Sequence, residues 1–349
     1  MLFPFSLLYL LITGVRNTLF NIGVLEQRTY PFPLISIGNL RVGGTGKTPT
    51  IESLIKLLQK EGYRCLVLSR GYGRKSKGLR EVMVDDKVSD SGDEPLQIKR
   101  KFPDVKVLTD RDRRNALRYV QENLPDIDVV LMDDAFQHRY VKAGLNILLT
   151  AHQEPYPEDW IMPSGNLREP ASSAKRADII LITKSYKTYS PIEAERLTEL
   201  IKPKNYQDIF FSFIQYSDPV NLTTNENLAK EKLASQNIVL FTGIASDAFL
   251  MNYLRRKSKK IIHLKFGDHH SFTEKNINKI IKTYKDRFIS DKIILTTEKD
   301  AIRLRTNKHF ALFKDLPLYY LPIEFKYHPG AKCTFEEKII NYVRENKRN

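Results

Sequence analysis

The hexapeptide Gly43-Gly44-Thr45-Gly46-Lys47-Thr48 carries the residue types that hold a phosphate. It follows an apolar run at 34–37 and opens a helical pattern, the setting that a phosphate-binding loop requires. Successive backbone N–H groups form an anion-binding nest there, and the helix N-terminus adds the positive end of its dipole. Glycines let the backbone approach phosphate oxygens with no Cβ in the way. Lys47 is placed to reach the β and γ oxygens of a nucleoside triphosphate, and the Thr48 hydroxyl to hold Mg2+. The strict pattern G-x-x-x-x-G-K-[ST] fails at its first position, Arg41, so this is a variant loop in which Gly43 and Gly44 supply the flexibility. The competing explanation is a glycine turn that merely joins strand to helix; the Gly-Lys-Thr triplet after a strand argues against it.

A second group is Val129-Val130-Leu131-Met132-Asp133-Asp134, an apolar run ending in two carboxylates. In a parallel sheet that puts Asp133 and Asp134 at the C-terminal edge, where ligands bind. Nucleotide enzymes draw a Mg2+-linked aspartate from this position; two loop carboxylates capping the next helix are the alternative, which the phosphate loop alongside argues against. In Ser91-Gly92-Asp93-Glu94-Pro95 the residues alone favour a helix start, because Ser91 and Glu94 match a capping box and Pro95 suits a first turn. The catalytic alternative makes Asp93 the base that takes a proton from a hydroxyl acceptor. Phe266-Gly267-Asp268-His269-His270 offers metal ligands or a catalytic group at a strand end. Adjacent histidines seldom reach one ion together, so an N-cap in a polar loop is the plainer expectation.

Weaker signals surround these. Ser69-Arg70-Gly71-Tyr72-Gly73-Arg74 is a basic loop near the expected ligand edge, so Arg70 and Arg74 either bind phosphate or belong to a turn. Asp110-Arg111-Asp112-Arg113-Arg114 starts a helix and reads as a solvated charged face. Leu181-Ile182-Thr183-Lys184 faintly resembles a guanine-reading loop, but Tyr186 stands where the needed aspartate would be, so GTP is not expected.

Strands and helices must alternate to position these groups. Short apolar strands are expected at 34–37, 64–68, 105–108, 128–132, 145–149 and 178–182, with helices at 48–60 and 110–123 between them. That alternation predicts a mostly parallel sheet with helices on both faces. A second β-α-β-α-β unit begins near Asn237. Alternating runs at 209–216 and 318–327 flank it and are expected to pair. The organisation is therefore an N-terminal helix at 1–25, a P-loop domain at 26–205 with a C-terminal helix at 330–349, a two-stranded connector at 206–216 and 317–327, and a second α/β domain at 217–316.

Length and composition agree with two domains: the chain has 349 residues, 42% of them hydrophobic and 28% charged. Disorder and a polytopic membrane protein are excluded. Lys and Arg number 56 against 41 Asp and Glu, a net charge of +15 that favours an anionic partner. Cys65 and Cys333 are the only cysteines, too few for a disulfide framework. Residues 2–12 are almost wholly apolar, and Arg16 interrupts the face that continues to Leu25. The stretch is short for a bilayer span, which needs about 20 apolar residues, and no basic residue precedes it as in a secretory signal. It is a helix lying in a membrane interface or a hydrophobic helix docked on the protein; the basic surplus favours the membrane surface.

Taken in order, these motifs resemble the tetraacyldisaccharide 4′-kinase family, the lipid A pathway kinases. The resemblance rests on Gly38-Asn39-Leu40 running into the loop and Pro49, on Ser69 to Gly73, and on Gly92 to Pro95. It continues through Asp133-Asp134-Ala135-Phe136-Gln137-His138, Pro163 to Glu169, Asp268-His269 and Thr297-Glu298-Lys299-Asp300-Ala301. Ala135 stands where the family usually has Gly. The resemblance implies ATP- and Mg2+-dependent phosphorylation of the 4′-hydroxyl of a tetraacylated glucosamine disaccharide 1-phosphate, by two α/β/α domains joined by a two-stranded connector. It implies an Asp–His dyad of Asp93 and His269 and reverses the capping preference for Asp93. It places Arg168 and Glu169 near the phosphates or the metal, and leaves Arg70 or Arg74 to meet the 1-phosphate. A four-chain lipid leaves a bilayer reluctantly, each buried CH₂ counting for about 0.8 kcal/mol, so such an enzyme works at the anionic surface. The expected location is the cytoplasmic face of the inner membrane, peripheral or monotopic, with no obligate protein partner. A regulatory membrane P-loop ATPase is the main alternative, but Val42 replaces the lysine often found before its glycines, and it gives the second domain no role. A nucleic-acid partner is not expected, since no compact basic-aromatic stretch is present.

Overall fold

The computed structural model describes residues 2–188, 190–268, 270–286, 291–330 and 332–347. The chain separates into two units, Met1–Ile214 with Phe325–Asn349, and Gln215–Glu324.

In the first unit, helix α1 (Phe3–Asn21) precedes strand β1 (Leu34–Asn39), α2 (Lys47–Lys60), β2 (Cys65–Ser69), β3 (Arg80–Glu81), α3 (Val88–Ser91), α4 (Asp93–Lys101), β4 (Lys106–Thr109) and α5 (Arg113–Asn123). Then come β5 (Val129–Asp133), β6 (Leu145–Ala151), β7 (Ile179–Ser185), α6 (Pro191–Ile201) and β8 (Asp208–Tyr216). The second unit holds β9 (Val220–Asn221), β10 (Asn237–Thr242), α7 (Ala248–Arg255), β11 (Lys260–Lys265), α8 (Glu274–Lys285), β12 (Lys292–Thr297), α9 (Glu298–Arg305) and β13 (Leu318–Leu321). Strand β14 (Ile323–Tyr327) and helix α10 (Phe335–Asn346) follow.

The first sheet runs β14-β8-β7-β6-β1-β5-β2-β4-β3 among the described residues. Strands β4, β2, β5, β1, β6, β7 and β8 run parallel to one another in that order, and the short β3 is antiparallel to β4. These central strands are continuous apolar runs because helices cover both faces. β1 lies where the strand order reverses, with β5 on one side and β6 on the other. That switch point is where open α/β sheets leave a crevice for ligand. Helix α2 follows the loop after β1, and its Ile51, Leu54, Ile55 and Leu58 repeat at helical spacing and are wholly buried.

The second unit has the order β11-β10-β12-β13-β9, parallel except for β9. Its Thr297-Glu298-Lys299-Asp300 motif is a brace. Thr297 caps α9, and buried Asp300 accepts the Gly243 N–H at 2.9 Å while pairing with Arg303 at 3.0 Å.

Run 318–327, read from sequence as one connector strand, is two strands in two sheets. Pro322 separates them; it has no N–H to donate to a ladder. β13 joins the second sheet, while β14 lies beside β8 at the edge of the first. The chain passes from one unit to the other within β8 and within β14.

Helix α1 shows the docked alternative along one face. Ser6 Oγ donates to the Ile161 carbonyl, Tyr9 Oη to the Arg168 carbonyl at 3.0 Å, and Asn17 to Glu169 at 3.0 Å. One face is thus docked. Leu2, Phe3, Phe5, Leu7, Leu8, Leu11, Ile12 and Val15 remain more than half exposed, an apolar stripe too large for an ordinary soluble surface.

Helix α10 returns to the first core through Phe335, whose ring is 5.6 Å from Phe210 and 4.4 Å from Tyr327. Phe335→Ala is expected to cost about 3–5 kcal/mol in urea unfolding of the full chain. Exposed Arg344→Ala, on the same helix, should shift it by no more than about 0.5 kcal/mol.

Candidate active site

The loop after β1 is shaped from several directions. Gly43 and Gly46 have φ of 110° and 88°, which a side chain rarely adopts, and a Cβ at Gly46 would lie 2.5 Å from the Phe325 ring. Asn39 donates to Thr45 Oγ1 at 2.7 Å, and Thr45 N–H turns back to the Gly43 carbonyl at 3.0 Å. Arg41, the departure from the strict pattern, is anchored by Asp159 and Glu154. Residues 40–42 run alongside 166–168: Val42 N donates to Asn166 O at 2.9 Å, and Arg168 N to Leu40 O at 2.7 Å. This pairing sets Arg168 beside the entrance of the loop.

Lys47 and Arg168 converge on Asp134. Lys47 Nζ is 3.5 Å from its Oδ1, and the Arg168 guanidinium lies 2.9 Å and 3.0 Å from its two oxygens. Asp134 sits just past β5 with φ of 46°, and Ala135 N donates to Ile37 O, which locks the turn to β1. Burial raises the Asp134 carboxyl, but Lys47 and Arg168 outweigh it and hold it below the usual carboxylate range. Asp133 points the other way and accepts from Ser69 Oγ at 3.0 Å. Burial first, then the charges of Glu94 and Asp134, push its carboxyl up to about 7.

Asp93 opens α4. The expected Ser91–Glu94 capping box does not form: Ser91 is buried at the end of α3, Gly92 is the N-cap with φ of 92°, and no side chain caps the helix. Gly92 is packed against the Tyr72 carbonyl, where a Cβ would come within 3.0 Å. The Asp93 carboxylate accepts the Glu94 N–H at 3.0 Å. Glu94 acts on Asp133 through its charge, so the start of α4 belongs to the same electrostatic cluster as the acidic pair. His269 lies outside the described residues. Its neighbour His270 stacks on Phe266 and lies 3.0 Å from Asn276 Oδ1, in the cap of α8.

Three sequence expectations change. Arg74 is buried and donates to the Thr109 carbonyl and hydroxyl and to the Gly78 carbonyl. It braces the glycine loop and has no reach toward a ligand phosphate; Arg70 stays exposed. Glu169 is buried and its Oε2 is engaged by Arg176 at 2.8 Å and Asn17 at 3.0 Å. Those contacts belong to α1 and the turn after 170, and they do not support a metal-ligand role. The charged run 110–114 is not all solvated: Arg113 is buried and donates to the Asp133 and Asp134 carbonyls at 3.2 and 3.3 Å. Its spacing with Ala116, Leu117 and Val120 on the buried face of α5 was the available signal. Among the described residues no cluster of three or more His, Cys, Asp or Glu forms a ready metal cage. Thr48 occupies the first turn of α2 beside the loop.

A parallel sheet whose first strand ends in a Gly-Lys-Thr loop makes this a P-loop protein, and a lysine and an arginine sharing one carboxylate above that loop suit phosphoryl transfer. The family model described as tetraacyldisaccharide-1-P 4′-kinase matches residues 1–343. Proteins named tetraacyldisaccharide 4′-kinase include one from Phocaeicola vulgatus, 40% identical over 100% of this chain and 96% of its own length. The one from Flavobacterium psychrophilum is 41% identical over 100% and 98%. The crystal structure of LpxK from Aquifex aeolicus, described as an "apo" form in complex with ATP, has a TM-score of 0.73 and 30% identity, covering 99% of this chain and 98% of that one. The chain therefore belongs to the tetraacyldisaccharide-1-P 4′-kinase family. It is an enzyme, a phosphotransferase acting on an alcohol acceptor.

The Asp133 carboxyl gives a pH test. Its folded value, about 7, lies above its ordinary value of 3.8, so its favourable contribution is complete below about 4 and is lost as pH rises to about 7. Chemical denaturation without metal should show wild type losing stability relative to Asp133→Asn as pH rises over that window, while the buried neutral histidines such as His138 contribute the opposite trend to both proteins.

Proposed function

We propose that this chain transfers the γ-phosphate of ATP to the 4′-hydroxyl of a tetraacyldisaccharide 1-phosphate, giving the 4′-phosphorylated lipid A precursor. The observation that carries this is the convergence of Lys47 and Arg168 on Asp134 at the mouth of the loop. Both cations are partly buried and already paired beside the loop, where phosphate oxygens would lie. Phosphoryl transfer leaves little covalent chemistry to the protein, so positioning and charge stabilisation dominate. Backbone N–H groups of the loop hold the β-phosphate, Lys47 follows the transferring group, and Arg168 meets the phosphate chain from the side.

The donor set fits Mg2+. Thr48, Asp133 and Asp134 offer hard oxygens, and Mg2+ is usually held by one or two carboxylates together with substrate phosphates rather than by a protein cage. Burial first, then the charges of Glu94 and Asp134, raise the Asp133 carboxyl, and a bound cation would offset both. When bound, the ion neutralises charge on the β and γ oxygens. Asp93 is the base proposed to take the proton of the acceptor hydroxyl, and the family resemblance pairs it with His269 as a dyad. Arg70 is the exposed cation proposed for the acceptor's 1-phosphate.

Helix α1 is the proposed membrane contact. Its 19 residues satisfy the length and composition of a span, but its polar contacts to residues 161–169 favour a helix lying at the surface. The location that follows is the cytoplasmic face of the inner membrane, peripheral or monotopic, with the net charge of +15 facing anionic headgroups.

The test is transfer from γ-labelled ATP to tetraacyldisaccharide 1-phosphate in mixed micelles with Mg2+. Wild type should yield a labelled bisphosphorylated lipid. Lys47→Ala, Asp93→Ala and His269→Ala should each lower the rate roughly 10²–10³-fold. ATP hydrolysis without lipid product would overturn the acceptor, and an unchanged Asp93→Ala rate would overturn its role as base.

A further inference from the structure

The end of β7, which lacks the aspartate of a guanine-reading loop, reaches the phosphate loop. Thr183 Oγ1 donates to the Thr45 carbonyl at 2.8 Å, and Lys184 Nζ donates to the Gly44 carbonyl. Two consecutive carbonyls of the loop are thus held from the same strand, 138 and 140 residues away in sequence.

The backbone of β7 is distorted at this point. Ile182 pairs with Phe211 and Ser185 with Phe213, so β7 advances three residues while β8 advances two. That is a bulge, and bulges commonly re-aim a side chain next to a functional site. Lys184 sits inside it with φ of 57°, a left-handed conformation that a non-glycine side chain seldom adopts. The Thr183 backbone stays in the sheet, its carbonyl accepting His152 N at 2.9 Å. The anchor is therefore fixed to the central sheet and does not ride on a loose loop. Burial also lowers the Lys184 ammonium below its ordinary value, as suits a side chain turned inward.

A trans peptide points its C=O and N–H in opposite directions. Holding the Thr45 carbonyl outward therefore directs the Gly46 N–H inward, and holding the Gly44 carbonyl fixes the peptide whose N–H closes the Gly43–Thr45 turn. With φ of 110° and 88° at Gly43 and Gly46, the loop has glycine freedom on both sides and needs an external constraint to keep its N–H groups aimed at one point.

We infer that Thr183 and Lys184 are positioning residues that pre-orient the phosphate loop for the nucleotide's phosphate chain. The inference rests on the nucleotide reading above and concerns binding of ATP, not the lipid or the chemical step. Lys184→Met keeps the aliphatic stem and removes the donor. It should raise KM and Kd for ATP about tenfold, as the binding-competent loop falls to about a tenth of the population, while kcat and the lipid KM stay within about twofold. Lys184→Arg should restore most of the affinity. Thr183→Val tests the second carbonyl with no change of charge and should move in the same direction by a smaller factor, about threefold. Thermal melting without nucleotide should differ by no more than a few degrees among the variants, and the ATP-induced rise should shrink in Lys184→Met. Lys184→Met and Thr183→Val that bind ATP like wild type would overturn the inference, as would a fall in kcat at unchanged ATP KM. If wild type itself fails to bind ATP, the nucleotide reading fails first, which separates the two outcomes.

Discussion

One carboxylate, Asp134, organises the charges around the loop. Lys47, from the start of α2, and Arg168, from a segment more than thirty residues downstream of Asp134, meet on it. Neither cation would stay in place at a partly buried site without an anion, because desolvating an unpaired charge costs several kcal/mol. Asp134 therefore keeps both aimed at the same space before any phosphate arrives. It can do so because the left-handed turn at its own backbone, pinned by Ala135 N to Ile37 O, brings its side chain back over the end of β1. Asp133, one residue earlier, points to Ser69, so adjacent carboxylates serve two environments and titrate in opposite directions.

The sheet passes this constraint outward. Strands β1, β5, β6 and β7 are parallel, so their C-terminal ends share one edge, where β1 gives the loop, β5 the acidic pair and β7 the Thr183–Lys184 anchor. The segment carrying Arg168 is pinned on its other side by α1, through Tyr9 to the Arg168 carbonyl and Asn17 to Glu169. The helix that exposes the apolar stripe is thus the one that helps fix a cation of the site. The helix with the exposed apolar stripe and the arginine paired with Asp134 thus share one packed layer.

Much of this was legible in the sequence where local pattern and chemistry coincide. The Gly-Lys-Thr loop after an apolar strand, the acidic pair ending another and the β/α alternation needed no tertiary knowledge. The family resemblance supplied Arg168, which no local signal marks. What escaped depended on partners far along the chain. Arg74 reads as a ligand arginine until Thr109, from β4, is seen to take its guanidinium. Glu169 reads as a metal ligand until Arg176 and Asn17 occupy it. Arg113 hid in a charged run although it shares the buried face of α5. The Ser91–Glu94 pattern matched a capping box, but Gly92 needed a positive φ to pass under Tyr72, and that backbone demand overrode the local signal. Lys184 had no signal beyond a faint motif, because its role depends on a bulge that no periodicity reports.

The role of Asp134 as a holder that yields its cations to phosphate is most directly tested by titrating ATP into wild type and Asp134→Asn, each with chelator and with Mg2+. Without Mg2+, Asp134→Asn should bind ATP more tightly than wild type, since Lys47 and Arg168 no longer have to leave a carboxylate. With Mg2+, the variant should lose most of the gain that wild type shows. Weaker binding by Asp134→Asn under both conditions would contradict this account and make Asp134 a support of the fold alone.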